Sequence, residues 1–217
     1  MIIDEMINKI IDNLNKALGE HGIKVQKFLA KGTTSFVFLG EINGERVIIK
    51  YQRGDSPRRN FRREAEILKI LEGQDITGRL ILYGTIENRE VLVREYLEGI
   101  HLITSDIEKH HIIKIGEKTY KLDKLGIDHG QIQGGKHILV SPTDIWIIDF
   151  EKASTVRRPK NLTSAMAMLF LGNNSISRRV ISKFNLTGDF LKEMKDALRF
   201  YKKTKDPSRV FELLSTL

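Results

Sequence analysis

Two polar clusters set into apolar, strand-like runs hold the residue types best suited to chemistry in this 217-residue chain. The first is His129-Gly130-Gln131 and the second is Asp149-Phe150-Glu151. Between them, Ile138-Leu139-Val140 and Ile145-Trp146-Ile147-Ile148 flank Ser141-Pro142-Thr143-Asp144. The flanking runs are β-branched and aromatic and the middle is turn chemistry, so the stretch predicts a hairpin with a polar loop at each end. A carboxylate at the mouth of a strand offers hard oxygen to a cation. The plainer role for the same Asp149 is to cap a turn. An amide at Gln131 cannot accept a hydroxyl proton at neutral pH, so this residue is no general base.

Upstream residues add four further motifs. Ala30-Lys31-Gly32-Thr33-Thr34-Ser35-Phe36-Val37 resembles the protein-kinase Gly-rich loop, with Ala30 and Ser35 in place of two glycines. Small residues there still allow close approach to phosphate. A strand and an Asn43-Gly44 turn lead to Val47-Ile48-Ile49-Lys50, which resembles the V-A-I-K strand. Glu64 stands where kinases keep the helix C glutamate, with Glu66 as the fallback if the helix is turned. Val91-Leu92-Val93-Arg94-Glu95-Tyr96-Leu97-Glu98-Gly99 resembles the fifth strand and the hinge. All of these in the right order make coincidence improbable. Over residues 23–161 the chain resembles small atypical protein kinases. It is closer to the RIO and KEOPS-complex kinases and to aminoglycoside phosphotransferases, which also carry His-Gly, than to eukaryotic kinases. It is also similar to an archaeal group of predicted serine/threonine kinases.

The resemblance implies ATP and Mg2+ as cofactors. Lys50 would hold the phosphates, Glu64 would fix its ammonium, Asp149 would ligate Mg2+, and the backbone of Glu95 and Leu97 would meet adenine. His129 would brace the catalytic loop through hydrogen bonds, with no part in proton transfer. Gln131 occupies the position of the catalytic Asp, and Asp128 is the neighbouring candidate to replace it. The Asn that binds a second Mg2+ is absent, and Lys136 or His137 falls there. Lys136 would neutralise phosphate directly in the metal's stead. Glu151 replaces a Gly and removes backbone freedom after the metal ligand. Arg94 puts a charge at the back of the adenine pocket, for which the sequence offers no account. Three readings follow: an ATP-dependent phosphotransferase acting on protein serine or threonine or on itself, a nucleotide-binding pseudokinase scaffold in an RNA-protein assembly, and a small-molecule kinase.

The elements that must position these residues follow from periodicity. The expected fold is α+β and bilobal: residues 1–22 a helix packed on the N-lobe, 23–96 an antiparallel five-stranded N-lobe with helix C, and 97–217 a reduced, mainly helical C-lobe. Ile3, Ile7, Ile10, Leu14 and Leu18 recur at helical spacing, which Gly19 or Gly22 can stop. Strands are expected at 23–29, 36–42, 46–51, 79–83 and 91–95, with a helix from Pro57 capped by Ser56. Helical segments at 105–115 and 117–125 precede the first polar cluster, Gly126 closing the second. Residues 152–160 leave room for only a short activation segment before an apolar helix at 162–171, so a standard peptide-binding platform is missing.

Arg58, Arg59, Arg62 and Arg63 oppose the macrodipole of their helix by roughly 0.3 to 1 kcal/mol each. They are a candidate contact for RNA or a ribonucleoprotein, weighed against a merely solvated face. Formal net charge is +8, which favours polyanions without choosing among them. There is no cysteine, which excludes disulfides and thiolate metal sites. Asp4 and Glu5 stand where a signal peptide would be cationic, and the longest apolar run, at 165–171, is far shorter than the roughly 20 residues of a membrane span. The expectation is a cytoplasmic protein with no membrane contact.

Overall fold

The computed structural model describes residues 2–56 and 61–217, the side chains of Ile2 and Ile3 excepted. The fold is α+β and divides into two compact units, Met1–Leu97 and Glu98–Leu217.

Among the described residues, the first unit is a five-stranded sheet with two α-helices. Helix α1 (Ile2–Leu18) turns Ile7, Ile10, Leu14 and Leu18 toward the sheet and ends in a 3-10 turn over Gly19–His21. Gly22 stops it in the left-handed region at φ 71°, where a residue without Cβ carries no penalty. Strands β1 (Ile23–Lys31), β2 (Ser35–Ile42), β3 (Glu45–Gln52), β4 (Leu80–Ile86) and β5 (Arg89–Glu95) pair antiparallel in the order β1-β2-β3-β5-β4. Phe38, Val47, Ile49 and Val93 are fully buried in its core. Gly40 is demanded by packing, since a Cβ there would stand 2.6 Å from Ile49 Cδ1 and 2.8 Å from the Lys24 carbonyl.

Asn43 and Gly44, at φ 51° and 83°, close the β2–β3 hairpin as their composition predicts. The β4–β5 hairpin is longer than expected because Glu87 and Asn88 also take positive φ, 49° and 62°, and make a second two-residue turn. Asn13 of α1 donates to Glu87 at 3.1 Å and helps to hold it. Between β3 and β4 lies helix α2 (Phe61–Ile70). Its expected start at Pro57, with Arg58 and Arg59, lies outside the described residues.

The second unit is mainly helical. Helices α3 (Lys109–Lys124), α4 (Asn161–Met166), α5 (Ser175–Lys183), α6 (Gly188–Thr204) and α7 (Ser208–Ser215) accompany a small sheet of β6 (Ile100–His101), β7 (Ile138–Val140) and β8 (Ile145–Ile147). The expected hairpin is β7–β8, with Ser141 and Asp144 bonded across its turn. Strand β6, unforeseen in the sequence, pairs with β7. The two helical segments expected from 105 and 117 are instead one continuous helix, α3. It runs straight through Gly116, which makes room for Phe211 and Leu214 of α7: a Cβ would stand 3.2 and 3.0 Å from their side chains. The helix expected at 162–171 is α4 followed by a π-helical turn over Ala167–Leu171. Among the described residues, no helix is long and apolar enough to cross a membrane.

Candidate functional site

In the first unit, β3 is flanked by β2 and β5, so a side chain on its inner face is desolvated. Lys50 lies there, opposite Val37 on one side and Leu92 on the other. It is 7% exposed, and its ammonium reaches Glu64 of α2, which is 1% exposed, at 2.7 Å. The Phe61 ring lies 5.3 Å from the same nitrogen. Glu66 points away from this centre: it is exposed and pairs with Arg62 across one helical turn at 3.2 Å.

Ala30, Lys31, Gly32, Thr33, Thr34, Ser35 and Val37 belong to the hairpin of β1 and β2, whose register sets Val37 beside Lys50. The Gly32 N–H donates to the Ser35 carbonyl at 2.8 Å and closes the turn. Arg53, just past β3, clasps it. Its backbone N–H donates to the Thr34 carbonyl at 2.9 Å, and its Nη1 donates to the carbonyls of Gly32 (2.8 Å) and Thr33 (3.3 Å). Asp55 holds the guanidinium from the other side, accepting from Nε at 2.9 Å.

Glu90 anchors the beginning of α2. Its Oε1 accepts from the Arg62 N–H at 3.2 Å and from the Tyr83 hydroxyl at 2.7 Å, while its own N–H donates to Gln52 Oε1 at 3.0 Å. Burial, then the Glu90 carboxylate, push the Tyr83 pKa up to about 12. Among the described residues, Glu90 Oε2 is buried without a hydrogen-bond partner.

At the end of β5 the Glu95 N–H donates to the Arg79 carbonyl at 2.9 Å and the Tyr96 N–H to the Arg46 carbonyl at 3.1 Å. Arg94, 9% exposed, turns its Nη1 onto the Glu95 carbonyl at 3.0 Å. Leu97 closes the unit.

In the second unit His129 is fully buried, its ring 4.8 Å edge-on from that of Phe150. Its Nε2 lies 3.0 Å from the Ile148 carbonyl, and its Nδ1 accepts from the Gln131 N–H at 3.3 Å. These partners assign the proton to Nε2. Burial pushes the ring's pKa down to about 4, so it is neutral at pH 7. The His129 N–H donates to Asn161 Oδ1 at 2.9 Å, and Asn161 Nδ2 donates to Asp123 Oδ1 at 2.7 Å and to the Ile127 carbonyl at 2.6 Å. Asp123 also accepts from the Asn161 N–H at 2.8 Å and the Tyr201 hydroxyl at 2.7 Å. The loop is therefore braced by three helices: α3, α4 and α6.

Asp128 is buried, and its carboxylate accepts from Arg157 Nε at 2.8 Å. With that carboxylate engaged by Arg157, Asp128 is not poised toward an acceptor in place of Gln131. Gly130, at φ 80°, lies so near Arg157 that a Cβ would stand 2.6 Å from Nη2. Lys136 and His137, the two candidates for one position, are placed differently. His137 Nδ1 is 3.5 Å from Asp149 Oδ2, whereas Lys136 is exposed and offers its backbone carbonyl to His101 at 2.7 Å. Asp149 sits just past β8 at φ 66°, a left-handed conformation uncommon outside glycine. Lys118 of α3 seats the hairpin by donating to the Ile145 carbonyl at 2.8 Å and to Asp144 at 3.0 Å. Glu151 is half-buried.

Arg53, Glu90, Asp123, His137, Arg157 and Asn161 thus shape the two centres without having been singled out for those contacts in the sequence. Asn161 had a local signal, standing at the start of a helix after Pro159 and Lys160, and His137 stood among two candidates for one position.

No protein-family profile matches the chain. Over 115 residues it is 36% identical to the uncharacterized protein MJ1211 of Methanocaldococcus jannaschii, a stretch amounting to 50% of this chain and 98% of that relative. With nearly the whole of that archaeal protein aligned at this identity, the chain belongs to the same family as MJ1211.

Proposed function

We propose that the chain is an atypical protein-kinase-like phosphotransferase that moves the γ-phosphoryl group of a purine nucleoside triphosphate, ATP in the kinases it resembles, to a serine or threonine hydroxyl. The first unit is read as the N-lobe and the second as the C-lobe. The observation that carries this reading is the Lys50–Glu64 pair at 2.7 Å. Burying two charges gains little stability over apolar residues of the same volume, so such a pair calls for a further reason. Holding an ammonium ready for phosphate is one.

Asp149 offers carboxylate oxygen to a divalent cation, with the His137 imidazole 3.5 Å from that carboxylate. A hard carboxylate donor fits the Mg2+ the reading requires. When bound, the cation neutralises charge on the transferring phosphate. The positive φ of Asp149 supports the assignment, because strained backbone gathers at functional sites. In the transfer the acceptor oxygen bonds to the γ-phosphorus, the bond to the bridging oxygen breaks, the nucleoside diphosphate departs, and the acceptor proton goes to solvent. Gln131 cannot take that proton, and His129, neutral with both ring nitrogens engaged, positions the loop instead. A missing base lowers the rate by roughly 10² to 10⁴ and leaves slow transfer, with the chain itself the nearest acceptor.

The second reading, a nucleotide-binding scaffold without turnover, is favoured by Arg157 on Asp128. Labelled-phosphate transfer by wild type, Gln131→Asp and Asp149→Asn separates the two. The enzyme reading expects slow autophosphorylation, a faster rate with Gln131→Asp and none with Asp149→Asn. The scaffold reading expects none in all three, with nucleotide still raising the melting temperature. A wild type whose melting temperature ignores every purine nucleotide refutes both.

A further inference from the structure

We propose that the first unit carries a second ligand site, a cavity beside α1 that takes a small organic phosphate: a dianionic head on an apolar, ring-sized body. The inference does not rest on the phosphotransferase reading. Successive side chains of a strand point to opposite faces. Tyr51 packs in the core beneath α1, so its neighbour Lys50 faces the other way, onto Glu64 of α2. The cavity lies on the α1 side, where Phe36, paired with Tyr51 across β2 and β3, forms part of its wall.

The cavity measures about 440 Å³, within the range of roughly 300–1,000 Å³ usual for small-molecule sites. Three parts of the unit enclose it: α1, the paired strands β1 and β2, and the segments that follow β3 and β4. Met6, Ile10 and Asn13 reach it from one face of α1, four and three residues apart. Ile10 and Phe36 are buried in the core behind it, whereas Met6 is 42% exposed. An apolar side chain left in water at the edge of a cavity gains by covering an apolar ligand.

The charges of the lining do not balance. Four cations, Lys9, Lys31, Arg53 and Arg89, face two carboxylates, Asp55 and Glu87, which leaves two positive charges in excess. Arg53 is engaged, since Asp55 accepts from its Nε at 2.9 Å and its Nη1 holds the β1–β2 turn. Glu87 accepts from Asn13 at 3.1 Å. Arg89 is set in place against Tyr51, its guanidinium carbon 5.8 Å from the ring centroid. Lys9 and Lys31 are exposed and, among the described residues, form no salt bridge. Cations gathered round one hollow repel each other, and an anion set among them relieves that repulsion. A phosphate monoester carries about −1.5 to −2 charge at pH 7 and three acceptor oxygens, which suits an excess of two and the donors of Lys9, Lys31 and Arg89. A carboxylate would answer only one of the two charges, and inorganic phosphate would leave the apolar wall wet.

The test titrates the full chain, labelled at its methionine methyl carbons, with phenyl phosphate and follows the Met6 methyl resonance, assigned by its loss in Met6→Leu. Inorganic phosphate, phenol and benzoate are the comparison compounds. A ligand of this size is expected to bind with a Kd of roughly 1 mM, and each comparison compound at least about tenfold more weakly. Lys9→Gln with Lys31→Gln should weaken phenyl phosphate by at least about tenfold, the scale of one lost hydrogen bond between charged groups. Lys16→Gln with Lys24→Gln makes the same charge change at exposed positions of α1 and β1 outside the lining and should leave binding unchanged. Absence of a saturable shift at Met6 overturns the inference. Inorganic phosphate, phenol or benzoate bound as tightly as phenyl phosphate overturns it too, because head and body would then not be read together. An equal loss in the two lysine pairs also overturns it, since the attraction would belong to the overall charge of the chain and not to the cavity.

Discussion

Lys50 and Glu64 meet as two full charges on neighbouring elements of the first unit, whereas His129 in the second unit is a neutral ring whose two nitrogens are spoken for by backbone groups. Both centres are buried, and their electrostatics differ in kind. A buried ion pair is held by the partner's charge, so losing one member strands the other. A buried neutral imidazole is held by hydrogen bonds and by exclusion of its proton, so pH becomes the agent that can break it. The first centre is vulnerable to substitution, and the second to acid.

The largest effect expected from this contrast is that of Glu64→Ala. It leaves a buried ammonium without this carboxylate and should lower stability by about 3–5 kcal/mol, read from urea unfolding, while the joint replacement Lys50→Met with Glu64→Leu should restore most of the loss. If the double variant is no more stable than Glu64→Ala alone, the centre is not governed by charge pairing.

Next in size is the response of His129 to acid. Its folded pKa is depressed to about 4 from the ordinary 6.5, so the unfolded chain binds the proton first as pH falls. Stability from this group is fully present above pH 6.5, falls as pH drops toward 4, and levels below that, for a total of about 3 kcal/mol. Comparing stability-against-pH curves of wild type and His129→Gln isolates this contribution from that of the carboxylates. Curves that run parallel between pH 6.5 and 4 would show that the ring titrates normally.

A smaller loss is expected for Tyr201→Phe, which takes one donor from Asp123. A hydrogen bond to a charged acceptor contributes roughly 1.5–3 kcal/mol, and the remaining donors from Asn161 keep the lower figure the better guide. Thermal unfolding checks it. Smallest of all, Arg62→Ala removes an exposed pair with Glu66 and should change stability by no more than about 0.5 kcal/mol. A larger change would mean that the side chain does more than its solvated position shows.

The same contrast explains what could be read in the sequence. Lys50 was legible because Val47-Ile48-Ile49 fixes it on a buried strand, and Glu64 because the apolar spacing of Phe61, Ala65 and Leu68 fixes which way its helix faces. Asn43-Gly44 gave its turn by composition. The brace on His129 was not legible. Asn161 and Asp123 are 38 residues apart, and the other partners are backbone carbonyls, which every residue carries and no sequence pattern marks. The Glu87-Asn88 turn escaped because Glu is an unusual residue at positive φ, tolerated here with support from Asn13 of a different element. Helix α3 was divided in two because Gly116 looks like a break, whereas α7 packs against it and needs the missing Cβ.

The clasp of Arg53 on the β1–β2 turn also fixes what that turn shows to its other side. A trans peptide unit points its N–H opposite to its C=O. With the Gly32 and Thr33 carbonyls drawn to the guanidinium, the amide hydrogens of Thr33 and Thr34 are directed away from it, two in succession and on the same side. Consecutive amides turned one way form a concave cradle for anions. The hairpin tip is thus polarised across its own thickness, carbonyl oxygens inward on a cation and amide hydrogens outward, without a single charged atom of its own main chain.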